Sequence, residues 1–254
     1  MTQDTVLLQT RGLGVSFGGV HAVRSVDFDL AEGELRCLIG PNGAGKSTFF
    51  KMLSGQQAPS HGQVFFRGSR ISGLPPHRIA RLGIGIKTQV PSVFDGLDVL
   101  QNLRVAAMRA EPSEAGAQRA AEAVLERIGL PALRHAQVGE LAHGQRQWVE
   151  LGMILASRPA LVLLDEPAAG MTHQEVRKTA ELVQEINRSS TVVVVEHDMA
   201  FIRLIARKVT VFNRGEVLAE GSFDEVVGNA AVREAYLGKK EIATQNPRQE
   251  AHHA

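Results

Sequence analysis

The 254-residue chain has one cysteine, one tryptophan, one tyrosine and almost no net charge. The lone Cys37 has no partner for an internal disulfide, which excludes a disulfide framework and suits a reducing compartment. A net charge of +1 sets up no global field that would favour nucleic acid or an anionic membrane surface. No nucleic-acid-binding motif takes its place, so no nucleic-acid partner is expected. No run approaches the roughly 20 apolar residues that span a bilayer, and the start "MTQDTVLLQTRG" lacks the charged-then-apolar pattern of a signal peptide. The expectation is a chain that stays in the cytoplasm, and a role in transport would leave the pore to other chains. What is present is an ordinary globular composition, 44% hydrophobic and 22% charged, sufficient for one large domain or two small ones.

Alternation in "VLLQTRGLGVSF" and "SVDFDL" predicts short strands with turns at Gly18-Gly19 and Glu32-Gly33, and "GQVFFRGSRIS" (62–72) adds to the same small antiparallel sheet. Three compact apolar runs stand apart: "LRCLIG" (35–40), "LVLLDE" (161–166) and "VVVVEH" (192–197). Short and rich in Val, Leu and Ile, they read as parallel strands buried on both faces. In such sheets ligands gather beyond the carboxyl ends of the strands. Between about 98 and 157 the pattern turns helical in "VLQNLRVAAMRA" and "AQRAAEAVLERIGL", stopped by Gly-Leu-Pro at 129–131. The division that follows is one unit over 1–238, with a helical subdomain at about 90–157, and a polar, aperiodic tail over 239–254 predicted to be mobile.

The strongest signal is "GPNGAGKST" (40–48), which fits G-x-x-x-x-G-K-[ST] directly after one apolar run and before the helical "TFFKMLSG". Gly43 and Gly45 let the backbone wrap closely, so that amides from Asn42 and Ala44 through Thr48 point at phosphate oxygens at a helix N-terminus. Lys46 reaches the outer phosphates, and the Ser47 hydroxyl is a ligand for Mg²⁺. In "LVLLDEP" a strand ends in Asp165 and Glu166, and adjacent strand residues point to opposite sides, so the two carboxylates can take different tasks. Asp165 then sits beside Mg²⁺ and Glu166 polarises the attacking water. The competing reading of this pair is a solvated turn. His197, at the end of "VVVVEH", is a candidate γ-phosphate contact or a structural histidine.

These motifs, in this order over about residues 6–238, resemble the nucleotide-binding subunit of an ABC transporter. The resemblance implies an α/β P-loop NTPase fold, the ABC cassette, with a parallel core sheet, a small antiparallel β subdomain and a helical insertion. It implies an ATPase using ATP and Mg²⁺, with Lys46, Glu166 and His197 as catalytic residues and Ser47, Gln89 and Asp165 at the metal. Gln89 in "KTQVPSVF" matches the Q-loop glutamine, "PAAGMT" (167–172) the D-loop and His197 the switch histidine. Phe17 in "VSFGG" and the nearby Val23 match the adenine site, with a core role as the alternative for Phe17. "LAHGQ" matches the signature turn, so Ala142, His143, Gly144 and Gln145 are expected to bind the ATP of a second ATPase subunit. Two departures stand out. Ala142 replaces the usual serine, leaving His143 as a substitute donor, and Thr172 replaces the usual D-loop aspartate.

Within the family, "EPAAGM", "LAHGQ" and "GEVLAEGSFDEVVGNAAVREAYLG" resemble ATP-binding subunits of branched-chain amino acid importers. "GQRQWVELGMILA" and "VVVVEHDM" are similar to the urea-importer subunits of the same group. The implied partners are transmembrane permease subunits, a second ABC ATPase and, indirectly, a periplasmic solute-binding protein, with the chain peripheral at the cytoplasmic face of the inner membrane. Val93, Phe94 and Leu97 are apolar enough either to floor a permease groove or to be subdomain core, and Trp148 reads as a helix-packing anchor. The rivals are an ATPase of a lipid or lipopolysaccharide export system, a soluble non-transport ABC protein and a non-hydrolysing regulatory subunit.

Overall fold

The computed structural model describes residues 5–236, so the expectation for the tail at 239–254 lies outside the described residues. Two sheets form its frame. The first is antiparallel and begins with two twelve-residue strands, β1 (Val6–Phe17) and β2 (Val20–Ala31), turning at Gly18-Gly19. The sequence pattern suggested shorter strands because register shifts, including one between Thr10 and Leu13, interrupt the alternation without ending the pairing. The strands β4 (His61–Phe66) and β5 (Ser69–Arg70) complete the order β2-β1-β4-β5.

The second sheet has six strands in the order β10-β9-β3-β8-β7-β6. At its centre lie the three apolar runs: β3 (Leu35–Ile39), β7 (Leu161–Asp165) and β8 (Thr191–Val195), all parallel and wholly buried. Alternate residues serve different cores. Val162, Leu164, Val192 and Val194 face one cluster, while Leu161, Leu163, Val193 and Val195 face the other. With both faces covered, no position on these strands is left for a solvent-facing residue, which is why they read as compact, mostly apolar runs without alternation. Three strands escape the sequence reading: β6 (Ile84–Lys87) at one edge, β9 (Lys208–Asn213) parallel to β3, and the antiparallel β10 (Glu216–Gly221).

One core face carries α1 (Lys46–Leu53) and the antiparallel sheet; Phe49 of α1 packs edge-on against Phe28 of β2 and tilted against Phe212 of β9. A short helix, α2 (Pro76–Arg81), precedes β6. The other face carries the helical insertion, α3 (Val99–Ala107), α4 (Glu114–Arg127) and α5 (His143–Ser157), together with α6 (His173–Asn187) and α7 (Met199–Ile205). The helix α8 (Phe223–Gly228) follows β10. Trp148 is the packing anchor its spacing suggested: its indole N–H donates to Thr179 Oγ1 of α6 at 3.0 Å, and the Lys178 ammonium lies 3.9 Å from the ring centre. Among the described residues, no helix is long and apolar enough to cross a membrane.

One charged side chain is built into this frame. Arg36 of β3 is 1% exposed, yet its guanidinium donates to Thr210 Oγ1 at 2.9 Å, Glu220 Oε1 at 2.8 Å and the Asp29 carbonyl at 3.2 Å, pairs with Glu34, and stacks on Phe28. It therefore joins β2, β3, β9 and β10 at one point.

Candidate active site

The loop from Gly40 to Gly45 leaves β3 and enters α1 without a side-chain cap, so the first amides of the helix are directed at the cavity in front of it. Gly45 has φ +103°, and a Cβ there would lie 2.5 Å from the Ala22 carbonyl oxygen of β2. Gly45→Ala is therefore expected to displace the loop and weaken nucleotide binding by about tenfold or more, a loss that titration with a fluorescent ATP analogue would detect. Lys46 Nζ donates to the carbonyls of Gly40 at 2.7 Å and Pro41 at 3.1 Å, which holds its charge at the loop.

The loop faces a cavity of about 660 Å³ lined by Asn42, Gly43, Ala44, Gly45, Lys46, Ser47 and Thr48, and by Glu166 and His197 across the sheet edge. His197 Nδ1 lies 3.5 Å from Glu166 Oε1. The strand-alternation argument for Asp165 and Glu166 needs correction: β7 ends at Asp165, and Glu166 adopts a left-handed backbone with φ +47°. The kink turns the Glu166 carboxylate to the cavity while Asp165 stays buried at the strand end. A non-glycine residue in this region costs about 1 kcal/mol or more. The Glu166 amide, bonded to the Val195 carbonyl at 2.9 Å, holds the kink in place.

Asp165 provides the test for a metal. Its Oδ1 is buried and accepts no hydrogen bond among the described residues, and burial, reinforced by the neighbouring Glu166 carboxylate, pushes its pKa up to about 6 against the pull of Lys87 and Lys51. An orphaned carboxylate oxygen at the end of β7 suits a hard cation that takes its other ligands from a hydroxyl, phosphate and water. Among the described residues no cluster of three His, Cys, Asp or Glu forms a self-sufficient metal site. Because the folded-state pKa of Asp165 lies above the ordinary 3.8, protonation favours the fold. That stabilisation is complete below the ordinary value, fades as pH rises to about 6, and leaves an ionised carboxylate costing about 3 kcal/mol at neutral pH. Asp165→Asn is therefore expected to melt higher than wild type at pH 7.5 and to lose the advantage below pH 4, as thermal denaturation at the two pH values would show.

Several expected residues are not brought to this cavity. Gln89 lies exposed in the bend after β6 and does not line it. Phe17 is 49% exposed at the end of β1, paired with Val20, which does line it. Val23 is corrected: it is fully buried in the core behind Gly45, and Ala22 takes the lining position. The signature turn stands elsewhere, at the start of α5, where Ala142 is the N-cap and its amide donates to Gln145 Oε1 at 3.1 Å. His143 Nε2 lies 3.2 Å from the Ala169 carbonyl in the loop after Glu166, so the imidazole is turned toward its own chain. Gly144 has no room for a Cβ, which would meet the Glu175 carboxylate at 2.3 Å. Glu175 in turn closes a capping box with Thr172 at the start of α6, which is the local role of the residue that replaces the aspartate.

The sequence reading also missed residues. Glu196, directly before His197, is 2% exposed and accepts from the amides of Ala168 at 3.3 Å, His197 at 2.8 Å and Asp198 at 3.2 Å. It fixes the loop after Glu166 to the turn bearing His197, and a glutamate closing a strand otherwise made of valine was the available signal. His21 and Arg214 line the cavity as well. Burial raises the Tyr236 hydroxyl to about 12, with the Gly40 amide pulling the other way, which sets the C-terminal segment beside the phosphate loop.

The family model for ABC transporters matches residues 23–169, and a second, described as a branched-chain amino acid ATP-binding cassette transporter, matches 216–242. The chain is 37% identical over 252 residues to the high-affinity branched-chain amino acid transport ATP-binding protein LivG of Salmonella typhimurium, covering 92% of this chain and 98% of that protein. It is 34% identical over 250 residues to BraF of Pseudomonas aeruginosa, a protein of the same description, with the same coverage. Among solved structures, the ADP conformation of an ATP-binding cassette of an ABC transporter superposes with a TM-score of 0.80 at 26% identity, covering 92% of this chain and 99% of that one. The chain belongs to the ABC transporter family, as one of the ATP-binding cassettes that couple ATP hydrolysis to transport.

Proposed function

We propose that this cassette hydrolyses MgATP in the cavity before α1 and thereby powers import of a branched-chain amino acid through separate permease subunits. The observation that carries the chemistry is the Glu166 carboxylate, kinked out of its strand to face the phosphate loop with His197 at 3.5 Å. Mg²⁺ bound at Ser47 and Asp165 supplies charge neutralisation on the phosphates. The loop amides and Lys46 hold the β- and γ-phosphates. Glu166 accepts a proton from water as its oxygen bonds to the γ-phosphorus, and the bond to the bridging oxygen breaks with its electrons leaving on ADP. His197 orients the γ-phosphate, and Phe17, exposed beside the cavity-lining Val20, offers a face for adenine.

The residues Ala142, His143, Gly144 and Gln145 form an uncapped helix start away from this cavity, which suits them to the nucleotide of a second ATPase subunit. Phe94, 52% exposed, and Val90, 77% exposed, follow Gln89 and suit contact with a permease, whereas Val93 packs on the subdomain core. The chain then works peripherally at the cytoplasmic membrane face, with a solute-binding protein delivering the solute to the permease. The match at 216–242 and the LivG and BraF relatives favour a branched-chain amino acid over urea or a lipid. The experiment is purification of the tagged chain from native membranes in mild detergent, then reconstitution of the complex with its binding protein in vesicles. ATP-dependent uptake of labelled leucine is expected. Uptake of urea alone, or recovery without permease subunits, would overturn the assignment.

A further inference from the structure

The chemistry above leaves a buried ion pair without a task. Lys87, the last residue of β6, is fully buried, and Glu150, in the middle of α5, is 3% exposed. Their charged atoms lie 3.7 Å apart, and Lys87 Nζ donates to the Thr88 carbonyl at 3.2 Å. The other oxygen of Glu150 accepts from the Ser92 amide at 2.9 Å, in the loop that follows Gln89. Lys87 pairs with Leu164 across β6 and β7, one residue before Asp165, and its ammonium is attracted to Asp165 and Glu196 as well. Two buried oxygens of these carboxylates, Glu150 Oε2 and Asp165 Oδ1, accept no hydrogen bond among the described residues.

Lys87 is thus a buried cation paired with Glu150 at 3.7 Å and drawn also toward Asp165 on the neighbouring strand. One belongs to the strand that ends at the metal site, the other to the helix that begins with the signature turn. Buried ion pairs commonly add little stability over apolar residues of the same volume, so their retention calls for a positional reason. A divalent cation held at Asp165 would repel the ammonium and satisfy that carboxylate. Lys87 would then be driven closer to Glu150, whose other oxygen holds the Ser92 amide.

We infer that Lys87 and Glu150 are positioning residues that carry cation occupancy at Asp165 to the loop over 88–92 and to α5. The inference rests on the reading of Asp165 as a Mg²⁺ ligand. The test uses the full chain loaded with ADP and titrated with Mg²⁺, with metal binding followed by calorimetry and the protein by two other readouts. One is amide exchange over 88–94. The other is emission from Trp148, the chain's only tryptophan, two residues before Glu150 on the same helix.

In wild type, Mg²⁺ is expected to slow exchange over 88–94 by about fivefold or more and to shift the Trp148 emission. The charge-neutral double variant Lys87→Met/Glu150→Gln, which keeps an acceptor for Ser92, is expected to bind Mg²⁺ at equal or tighter affinity with neither response. Glu150→Gln alone guards against a variant that does not fold and is expected to lose the response as well. Equal responses in wild type and a variant, or Mg²⁺ binding to wild type without any response, would overturn the inference. Failure of wild type to bind Mg²⁺ would overturn the Asp165 assignment and this inference together.

Discussion

In a Glu166→Gln protein, steady-state ATP turnover is expected to fall by about a thousandfold while ATP still binds within a few-fold of wild type. The amide matches the carboxylate in size and still accepts a hydrogen bond from water, so the cavity keeps its shape. It cannot take the proton that water must lose as its oxygen bonds to phosphorus. The left-handed backbone at φ +47° is fixed by strand pairing on one side and by the loop from Pro167 on the other, so the substituted side chain keeps the same aim. Nucleotide titration together with phosphate release separates the two effects. Turnover within a few-fold of wild type would remove Glu166 from the proton-accepting role and direct attention to His197.

Arg36→Met is expected to destabilise the fold by about 3 kcal/mol, because it strips one buried hub and leaves its acceptors unmatched. Methionine restores most of the apolar stem but none of the donors that Thr210, Glu220 and the Asp29 carbonyl receive. Glu34 and Glu220 keep partial access to water, at 16% and 35% side-chain exposure, which holds the loss below that of a fully sealed ion pair. For a chain of this length the change corresponds to a fall in melting temperature of roughly 6–10 °C. Urea denaturation should show a lower midpoint, and nucleotide affinity of the folded protein should be unchanged, since Arg36 does not line the cavity.

Arg36 also marks a limit of what could be read from the chain. The run "LRCLIG" was recognised as a buried strand from its Leu and Ile, and nothing in spacing tells that an arginine inside it meets acceptors from residues 174 and 184 positions away. The central strands, the phosphate loop and the helical insertion were legible because each rests on local pattern: apolar runs, glycines before a lysine, and 3.6-residue periodicity. The edge strands were not. β6 is four residues long with a glycine inside, and its identity comes from pairing with β7 rather than from composition. At the site, residues on the loop or at strand ends converge as expected. Val23 was misplaced because a residue between two lining neighbours, Ala22 and Arg24, can sit wholly behind the loop, and the inward turn of His143 depends on the Ala169 carbonyl, which no motif encodes.

The neighbourhood of β6 and β7 has a consequence for how such chains diversify. These strands are hydrogen-bonded partners, yet residues 88–160, with α3, α4 and α5, lie between them. Because the two strands run parallel, the insertion leaves at Lys87 and rejoins at Leu161, which pairs with Ile84, so its anchor points lie one strand across, about 4.8 Å, and three residues, about 10 Å, along the sheet. Additions or deletions between α3 and α4 therefore impose no change on the separation of those anchor points. A lineage can remodel that excursion for a new membrane partner and inherit the phosphate cavity intact, provided the junctions at Lys87 and Leu161 keep their register.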